Sequence, residues 1–309
     1  MTHILSAIEV VIPIFIIIYL GYILKLKHII DENFVTIAMK IVFTIALPSL
    51  LFLKVSQSEF SKLFHPDNMK LVLYMFILIM FMFLFAVLAS KIYFKRIEGA
   101  FIQGAFRSNY ILIGGAILMS MFGDQATEPL AVSTVMVIPV FNILAILVLN
   151  QTSGPNKYKD ALIKIIKNPL ILAIVAGLIA SIFKWDIPNS FKQTLSMLGA
   201  VGTPLGLIGI GSYLNLKELR SSIPTYIAVF LKLIVFPLIA ITGAYIFKFN
   251  YIETVTIFML FGSPSAISSF IMAKAMNNNA ALAANIVILT TACSLITYII
   301  GLSVLGYLY

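Results

Sequence analysis

Apolar runs of about twenty residues recur from one end of the chain to the other, and they limit the fold more than any other feature. A single membrane-spanning helix needs about 20 apolar residues. Of the 309 residues, 61% are hydrophobic and only 11% are charged, whereas a soluble domain is about 25% charged. The composition excludes a soluble globular enzyme, a disordered regulator and a disulfide-rich secreted scaffold. It predicts an all-α polytopic membrane protein.

A transmembrane β-barrel does not fit these runs. Barrel strands alternate apolar and polar residues over about ten positions, but the stretch from Leu71 to Ala89 is almost unbroken apolar. We therefore expect ten transmembrane helices. Their predicted limits are 4–24, 34–54, 70–91, 99–121, 128–149, 168–184, 191–214, 223–247, 252–275 and 281–308.

One polar stretch lies near the middle of the chain, between Asn150 and Lys167. It predicts a first five-helix repeat over residues 1–149, a cytoplasmic linker over 150–167 and a second five-helix repeat over 168–309. Loops after odd-numbered spans hold twelve Lys and Arg residues, and loops after even-numbered spans hold six. Because cytoplasmic loops carry the excess of positive charge, we expect a multi-pass protein of the cell membrane with both termini outside.

Four pairs of identical residues are separated by the same 156 positions. The pairs are Pro13 and Pro169, Gly21 and Gly177, Pro48 and Pro204, and Thr134 and Thr290. Because each unit has an odd number of spans, the second unit enters the membrane from the opposite side, which makes the predicted repeat inverted. Inverted repeats are typical of secondary transporters, whose substrates bind near the midplane where discontinuous helices meet.

Two cationic residues, Arg107 and Lys232, lie about nine residues inside their predicted spans. A charge at that depth is energetically costly, so a functional role is the default hypothesis for such a residue. The alternative is a structural pairing with the carbonyl groups at a helix end. Because both deep charges are positive, a cavity that they line would suit an anionic substrate better than a cationic one.

Two predicted spans carry a polar cluster in their interior, at the same place in each repeat. The fourth span has Arg107-Ser108-Asn109 one turn before Gly114-Gly115, and the ninth has Ser263-Pro264-Ser265. Proline removes a backbone donor and clashes with the preceding turn, so we expect both helices to be broken. The exposed N–H groups of the half-helix N-termini would favour a carboxylate. The alternative is a proline kink solvated by serines without substrate contact.

Several motifs together resemble those of the auxin efflux carrier family. They are Leu47-Pro48-Ser49-Leu50-Leu51-Phe52, Arg107-Ser108-Asn109 followed by Ile113-Gly114, Asn168-Pro169-Leu170, Lys232 with Phe236-Pro237-Leu238, and Ser263-Pro264-Ser265. The resemblance covers essentially the whole chain. It implies ten helices in two inverted repeats, a crossover of broken helices four and nine, elevator-type movement, and a homodimer.

The same resemblance implies a substrate class. Bacterial and archaeal members are similar to malate or malonate permeases, and plant members export auxin, which is also a carboxylate. The chain departs from the family at Ala116, where the fourth-helix motif usually has proline. We therefore expect the break in span four to depend on glycine.

These observations predict a secondary transporter of a small organic anion, such as malate, malonate or an auxin-like acid, that works by alternating access. The expected substrate-binding residues are Arg107, Ser108, Asn109, Gly114, Lys232, Ser263, Pro264 and Ser265. Membrane lipid is expected as a partner. No cofactor, metal or nucleic acid is expected. The alternatives are a sodium-coupled carrier of the related bile acid symporter type and a membrane sensor that binds a ligand without moving it. An intramembrane enzyme is disfavoured because the sequence has no His-Glu-x-x-His and no Gly-x-Ser-x-Gly motif.

Overall fold

A computed structural model describes residues 2–57, 65–150, 163, 166–214 and 222–308, excluding the side chains of residues 2–11 and 67. Most of the predicted linker over 150–167 lies outside the described residues. The described part of the chain is helical, apart from its connecting turns and one isolated antiparallel bridge between Ser108 and Ser265. The all-helical class predicted from the sequence is therefore confirmed.

The α-helices are numbered here in chain order. They are α1 (Thr2–Leu26), α2 (Glu32–Ile41), α3 (Leu47–Ser56), α4 (Pro66–Phe94), α5 (Gly99–Phe106), α6 (Gly115–Phe122), α7 (Thr127–Leu149), α8 (Pro169–Ile182), α9 (Asn189–Ala200), α10 (Gly202–Ser212), α11 (Ile223–Phe230), α12 (Phe236–Ile246), α13 (Tyr251–Gly262), α14 (Ile267–Ala275) and α15 (Ala280–Leu308). Five-residue π-helical turns cover Val42–Ala46, Tyr110–Gly114 and Leu231–Val235, and a short 3₁₀ turn covers Gly123–Ala126.

Within the described residues, six helical stretches are long and apolar enough to cross a membrane. They are Glu32–Ser56, Asn68–Phe94, Tyr110–Leu149, Asn189–Ser212, Ile223–Ile246 and Ala280–Leu308. Two shorter apolar helices cover Pro169–Ile182 and Tyr251–Gly262, and the part of α1 over Ile12–Leu26 is also apolar. The architecture is that of a multi-pass membrane protein, while the count of ten spans and the orientation of the termini stay predictions.

Polar side chains fix where several helices begin. The Asn168 carboxamide accepts a hydrogen bond of 2.9 Å from the backbone N–H of Leu170 at the start of α8. At the start of α13, Asn250 and Glu253 form a reciprocal capping box, in which each side chain accepts from the other residue's N–H at 2.9 Å. Such caps satisfy N–H groups that have no partner within the helix.

Small residues allow the closest helix contacts, as the glycines of α10 illustrate. A Cβ atom added at Gly211 would collide with the carbonyl oxygen of Ile18 in α1. A Cβ atom at Gly206 would lie 2.8 Å from the Ile271 side chain in α14. Close backbone approach through small residues is the usual way in which membrane helices pack, so the glycines of this span serve packing.

The fourth predicted span is interrupted at Arg107–Asn109, which corrects the expectation that glycine makes the break. α5 ends at Phe106, and Arg107 is extended, with φ −76° and ψ 137°. The glycine pair is helical, because Gly114 ends a π-helical turn and Gly115 begins α6. Gly114 instead permits a close approach, since a Cβ atom there would lie 2.7 Å from Ser263 Oγ.

The ninth predicted span is interrupted where the proline predicts it. α13 ends at Gly262, and the chain is extended at Ser263 and at Ala266 before α14 begins at Ile267. The two interruptions face each other, because Ser108 and Ser265 form the antiparallel bridge and the Asn109 N–H donates to the Pro264 carbonyl at 2.7 Å. The two broken helices therefore meet at their breaks.

Candidate functional site

The crossing is the place where the interrupted segments Arg107–Asn109 and Ser263–Ala266 meet. Hydrogen bonds there satisfy some of the backbone groups that unwinding leaves without helical partners. The Ser265 hydroxyl donates to the carbonyl of Gly104 in α5, and the Ser265 N–H donates to Thr290 Oγ1 in α15 at 3.1 Å. Backbone groups away from water must be paired, and unwound backbone at membrane depth requires such surroundings. Ser265 is fully buried, so this predicted site residue holds the two half-helices together.

Ser263 also serves the crossing through its own contacts. Its hydroxyl donates to the Met259 carbonyl at 2.5 Å and accepts a bond of 3.0 Å from the Tyr298 hydroxyl. Both side chains are buried. These contacts stabilise the last turn of α13, which receives no hydrogen bond from Pro264 because proline has no N–H to donate.

A cavity of about 400 Å³ lies beside the crossing. Its wall includes residues of α3, α7 and α14, the start of α10 and the interrupted segment of the fourth span. Of the eight predicted site residues, Arg107, Ser108 and Asn109 line it. The other five are not part of its lining, namely Gly114, Lys232, Ser263, Pro264 and Ser265.

Arg107 is buried at the cavity wall, with 5% of its surface exposed. Its Nη2 donates to the Asn142 side-chain oxygen at 2.9 Å, and its Nη1 lies against the sulfur of Met272. Within the described residues, no carboxylate lies within ion-pair distance of it. A guanidinium carries five N–H donors, so the two neutral partners leave part of its donor capacity and all of its charge unmatched.

Asn142 of α7 holds the guanidinium in a fixed orientation. Its side-chain N–H₂ donates to the Ile138 carbonyl at 2.8 Å, which directs the side-chain oxygen towards Arg107. Ser108, which also lines the cavity, has a buried hydroxyl oxygen without a hydrogen-bond partner among the described residues. A buried polar atom without a partner is costly. The cavity wall thus offers an oriented cation and a free hydroxyl to whatever enters.

Lys232 lies elsewhere, fully buried and away from the cavity lining. Its ammonium donates to the carbonyl of Phe261 at 3.1 Å. This is the helix-end pairing that the sequence left open as an alternative for the deep cations. Arg107 and Lys232, although predicted together, therefore occupy different surroundings.

Sequence reasoning missed one cation in the cavity wall. The predicted span 34–54 ends at Lys54 and places its charge in an outer loop, but α3 extends to Ser56, and the half-buried Lys54 side chain lines the cavity. The sequence carries no clear signal for this position, because only Val55 separates Lys54 from the polar residues Ser56 and Gln57. Asn142 forms a hydrogen bond between helices through its contact with Arg107.

The fold and the cavity define a multi-pass helical protein with a cavity beside the meeting point of two broken helices, and secondary transporters bind their substrates at such broken helices. The family described as "Membrane transport protein" matches residues 6–161 and 155–301. The chain therefore belongs to this family of membrane transporters, and the resemblance to auxin efflux carriers is confirmed.

Curated relatives cover most of the chain. The uncharacterized transporter YfdV of Escherichia coli (strain K12) is 24% identical over 277 residues, which span 86% of this chain and 87% of the relative. The uncharacterized transporter MJ1031 of Methanocaldococcus jannaschii is 24% identical over 299 residues, spanning 93% and 95%. An uncharacterized transporter of Methanothermobacter thermautotrophicus is 22% identical over 303 residues, spanning 94% and 95%.

Proposed function

We propose that this transporter carries a small organic anion, of the carboxylate class, through the cavity beside the crossing. The observation that carries the proposal is the Arg107 guanidinium, which is buried at the cavity wall with only neutral partners among the described residues. An isolated buried charge is strongly unfavourable, and a carboxylate would match both the charge and the fork of donors of a guanidinium. The neighbouring Ser108 hydroxyl would give the anion a further hydrogen bond.

Helix packing supports an inverted repeat as the framework of the proposed transporter. Gly21 of α1 packs against the backbone of Ile208 in α10, and Gly177 of α8 packs against the carbonyl of Phe52 in α3. The two glycines are 156 residues apart, and so are Phe52 and Ile208. The same spacing relates Ser108 and Pro264 at the two breaks. The same sequence offset thus relates contacts at two separate places in the molecule, which supports the proposed repeat.

The position of the cavity supports transport by alternating access. Residues of the crossing form one part of its wall, and residues of α3, α9 and α10 form another. In the proposed movement, the crossing and the helices packed on it slide past α1, α3, α8 and α10, which pack together at Gly21 and Gly177. This movement would carry the bound anion across the membrane. This elevator movement, the ten spans and a homodimer belong to the proposal.

Reconstitution tests the proposed function. Purified protein in liposomes is offered labelled malate, malonate and indole-3-acetate, with protein-free liposomes as the blank. We expect saturable uptake of at least one carboxylate, and reduced uptake by Asn109→Ala, which alters the cavity wall. Saturable binding without flux would show a sensor instead, and uptake that Asn109→Ala leaves unchanged would refute the location of the site.

A further inference from the structure

The break in the ninth predicted span leaves carbonyl groups at the end of α13 without their usual helical partners. In an α-helix, the carbonyl of residue i accepts from the N–H of residue i+4. For Leu260 that donor would come from Pro264, which has none. For Phe261 it would come from Ser265, whose N–H donates to Thr290 Oγ1 instead. The C-terminal end of this half-helix is therefore an unfilled site of negative potential.

The Lys232 ammonium pairs with one of these two carbonyls. It donates to the Phe261 carbonyl at 3.1 Å, and the side chain is fully buried. Within the described residues, no carboxylate lies within ion-pair distance of Lys232. The positive charge is thus held by backbone carbonyl potential, which is an unusual environment for a buried lysine, since such charges are normally paired.

The backbone around Lys232 departs from a regular α-helix. Lys232 lies in the π-helical turn Leu231–Val235, and such turns are frequent at functional sites. The turn precedes Pro237, which cannot donate to the Leu233 carbonyl, and Thr297 Oγ1 lies 3.3 Å from that carbonyl as a replacement donor. The turn and the Thr297 hydroxyl accommodate Pro237, and the resulting backbone places Lys232 against the end of α13.

Half-helix C-terminal ends and unwound carbonyls are the places where secondary transporters coordinate a coupling Na⁺ or H⁺. We propose that Lys232 is a resident cation, which occupies the position of a coupling ion with its own ammonium, so that this carrier needs no Na⁺ to hold the crossing or to move its substrate. The inference rests on the proposed function for its transport consequence. The occupation of the carbonyl site rests on the contacts alone.

Thermal unfolding in detergent tests the occupied site without any substrate. The wild type, Lys232→Gln, Lys232→Arg and the exposed-site control Lys184→Gln are each heated in NaCl and in choline chloride of equal strength. We expect the Tm of the wild type, of Lys232→Arg and of Lys184→Gln to be the same in both salts. We expect Lys232→Gln to unfold a few degrees lower in choline chloride, and Na⁺ to raise its Tm.

A Tm of the wild type that rises with Na⁺ would overturn the proposal, and so would a Lys232→Gln variant with the Tm of the wild type in both salts. If Lys232→Gln cannot be purified, the wild type and Lys232→Arg decide the matter by the presence or absence of a Na⁺ response.

Uptake of the carboxylate found by reconstitution is then measured in Na⁺ and in choline. We expect equal rates for the wild type, and a Na⁺-dependent gain for Lys232→Gln. A wild type that moves the anion only with Na⁺ refutes the resident cation. A wild type that moves no anion, with the expected Tm pattern, refutes the proposed function alone.

Discussion

Replacing Arg107 by glutamine should weaken anion binding without unfolding the protein. The change removes the only buried guanidinium that lines the cavity within the described residues. A hydrogen bond to a charged group contributes about 1.5–3 kcal/mol. Because about 1.4 kcal/mol corresponds to a tenfold change in affinity, the loss of one such bond predicts a dissociation constant raised about 10- to 150-fold.

Stability should change less than affinity, because two effects oppose each other. Asn142 Oδ1 loses the donor that lies 2.9 Å away, and an unpaired buried acceptor costs about 1–3 kcal/mol. The same substitution removes a buried charge that has no acidic partner among the described residues, which relieves a desolvation penalty. The Tm of Arg107→Gln should therefore stay close to that of the wild type.

Isothermal titration calorimetry of the purified protein with the transported carboxylate measures the effect. Arg107→Lys keeps the charge and loses the planar fork of donors, so its affinity should lie between those of Arg107→Gln and the wild type. Lys184→Gln removes an exposed cation and should bind like the wild type. An Arg107→Gln protein that is folded and binds the carboxylate with wild-type affinity would refute the assignment of the anion to this guanidinium.

Three further predictions concern the crossing and its surroundings. Gly114→Ala places a methyl group 2.7 Å from Ser263 Oγ, so thermal unfolding should show a loss of about 1–3 kcal/mol, while Gly115→Ala, whose nearest contact would be 3.3 Å, should lose less. Tyr298→Phe removes the bond to Ser263 and should lower the free energy of unfolding by about 0.5–1.5 kcal/mol, as urea titration would show. Glu32→Gln breaks an ion pair of 3.7 Å in which Glu32 is exposed and Lys274 is largely buried, so stability should change by less than about 1 kcal/mol, and a larger loss would show that the pair holds a conformation.

The presence of both helix breaks, and the position of the one at Pro264, could be predicted from the sequence, because their causes are local. The break in the fourth span was expected to depend on Gly114 and Gly115, but it lies at Arg107–Asn109. Pro264 cannot continue a helix, and the polar run Arg107-Ser108-Asn109 has no place in an unbroken apolar span. The role of Gly114 could not be predicted in this way. Its use is a close approach to Ser263, about 150 positions along the chain, and no local pattern encodes such a contact.

The different surroundings of the two deep cations could not be predicted from the sequence either. Arg107 and Lys232 have similar depth in their spans, but their surroundings depend on which helix ends lie opposite. Arg107 faces the cavity because α7 presents Asn142 there, and Lys232 faces the end of α13 because the break frees the Phe261 carbonyl. Lys54 was missed for a related reason, since the length of α3 is set by its packing against α8 and not by the position of the first charge.

The anion-carrying role of the crossing is best tested by uptake of a matched set of labelled compounds into proteoliposomes, comprising a carboxylate, its neutral amide and an amine of similar size. The account predicts saturable uptake of the carboxylate alone, with a half-saturation concentration raised about 10- to 150-fold in Arg107→Gln and unchanged in Lys184→Gln. Equal uptake of the amide or the amine, or carboxylate uptake with wild-type half-saturation in folded Arg107→Gln, would show that the buried guanidinium does not select the substrate.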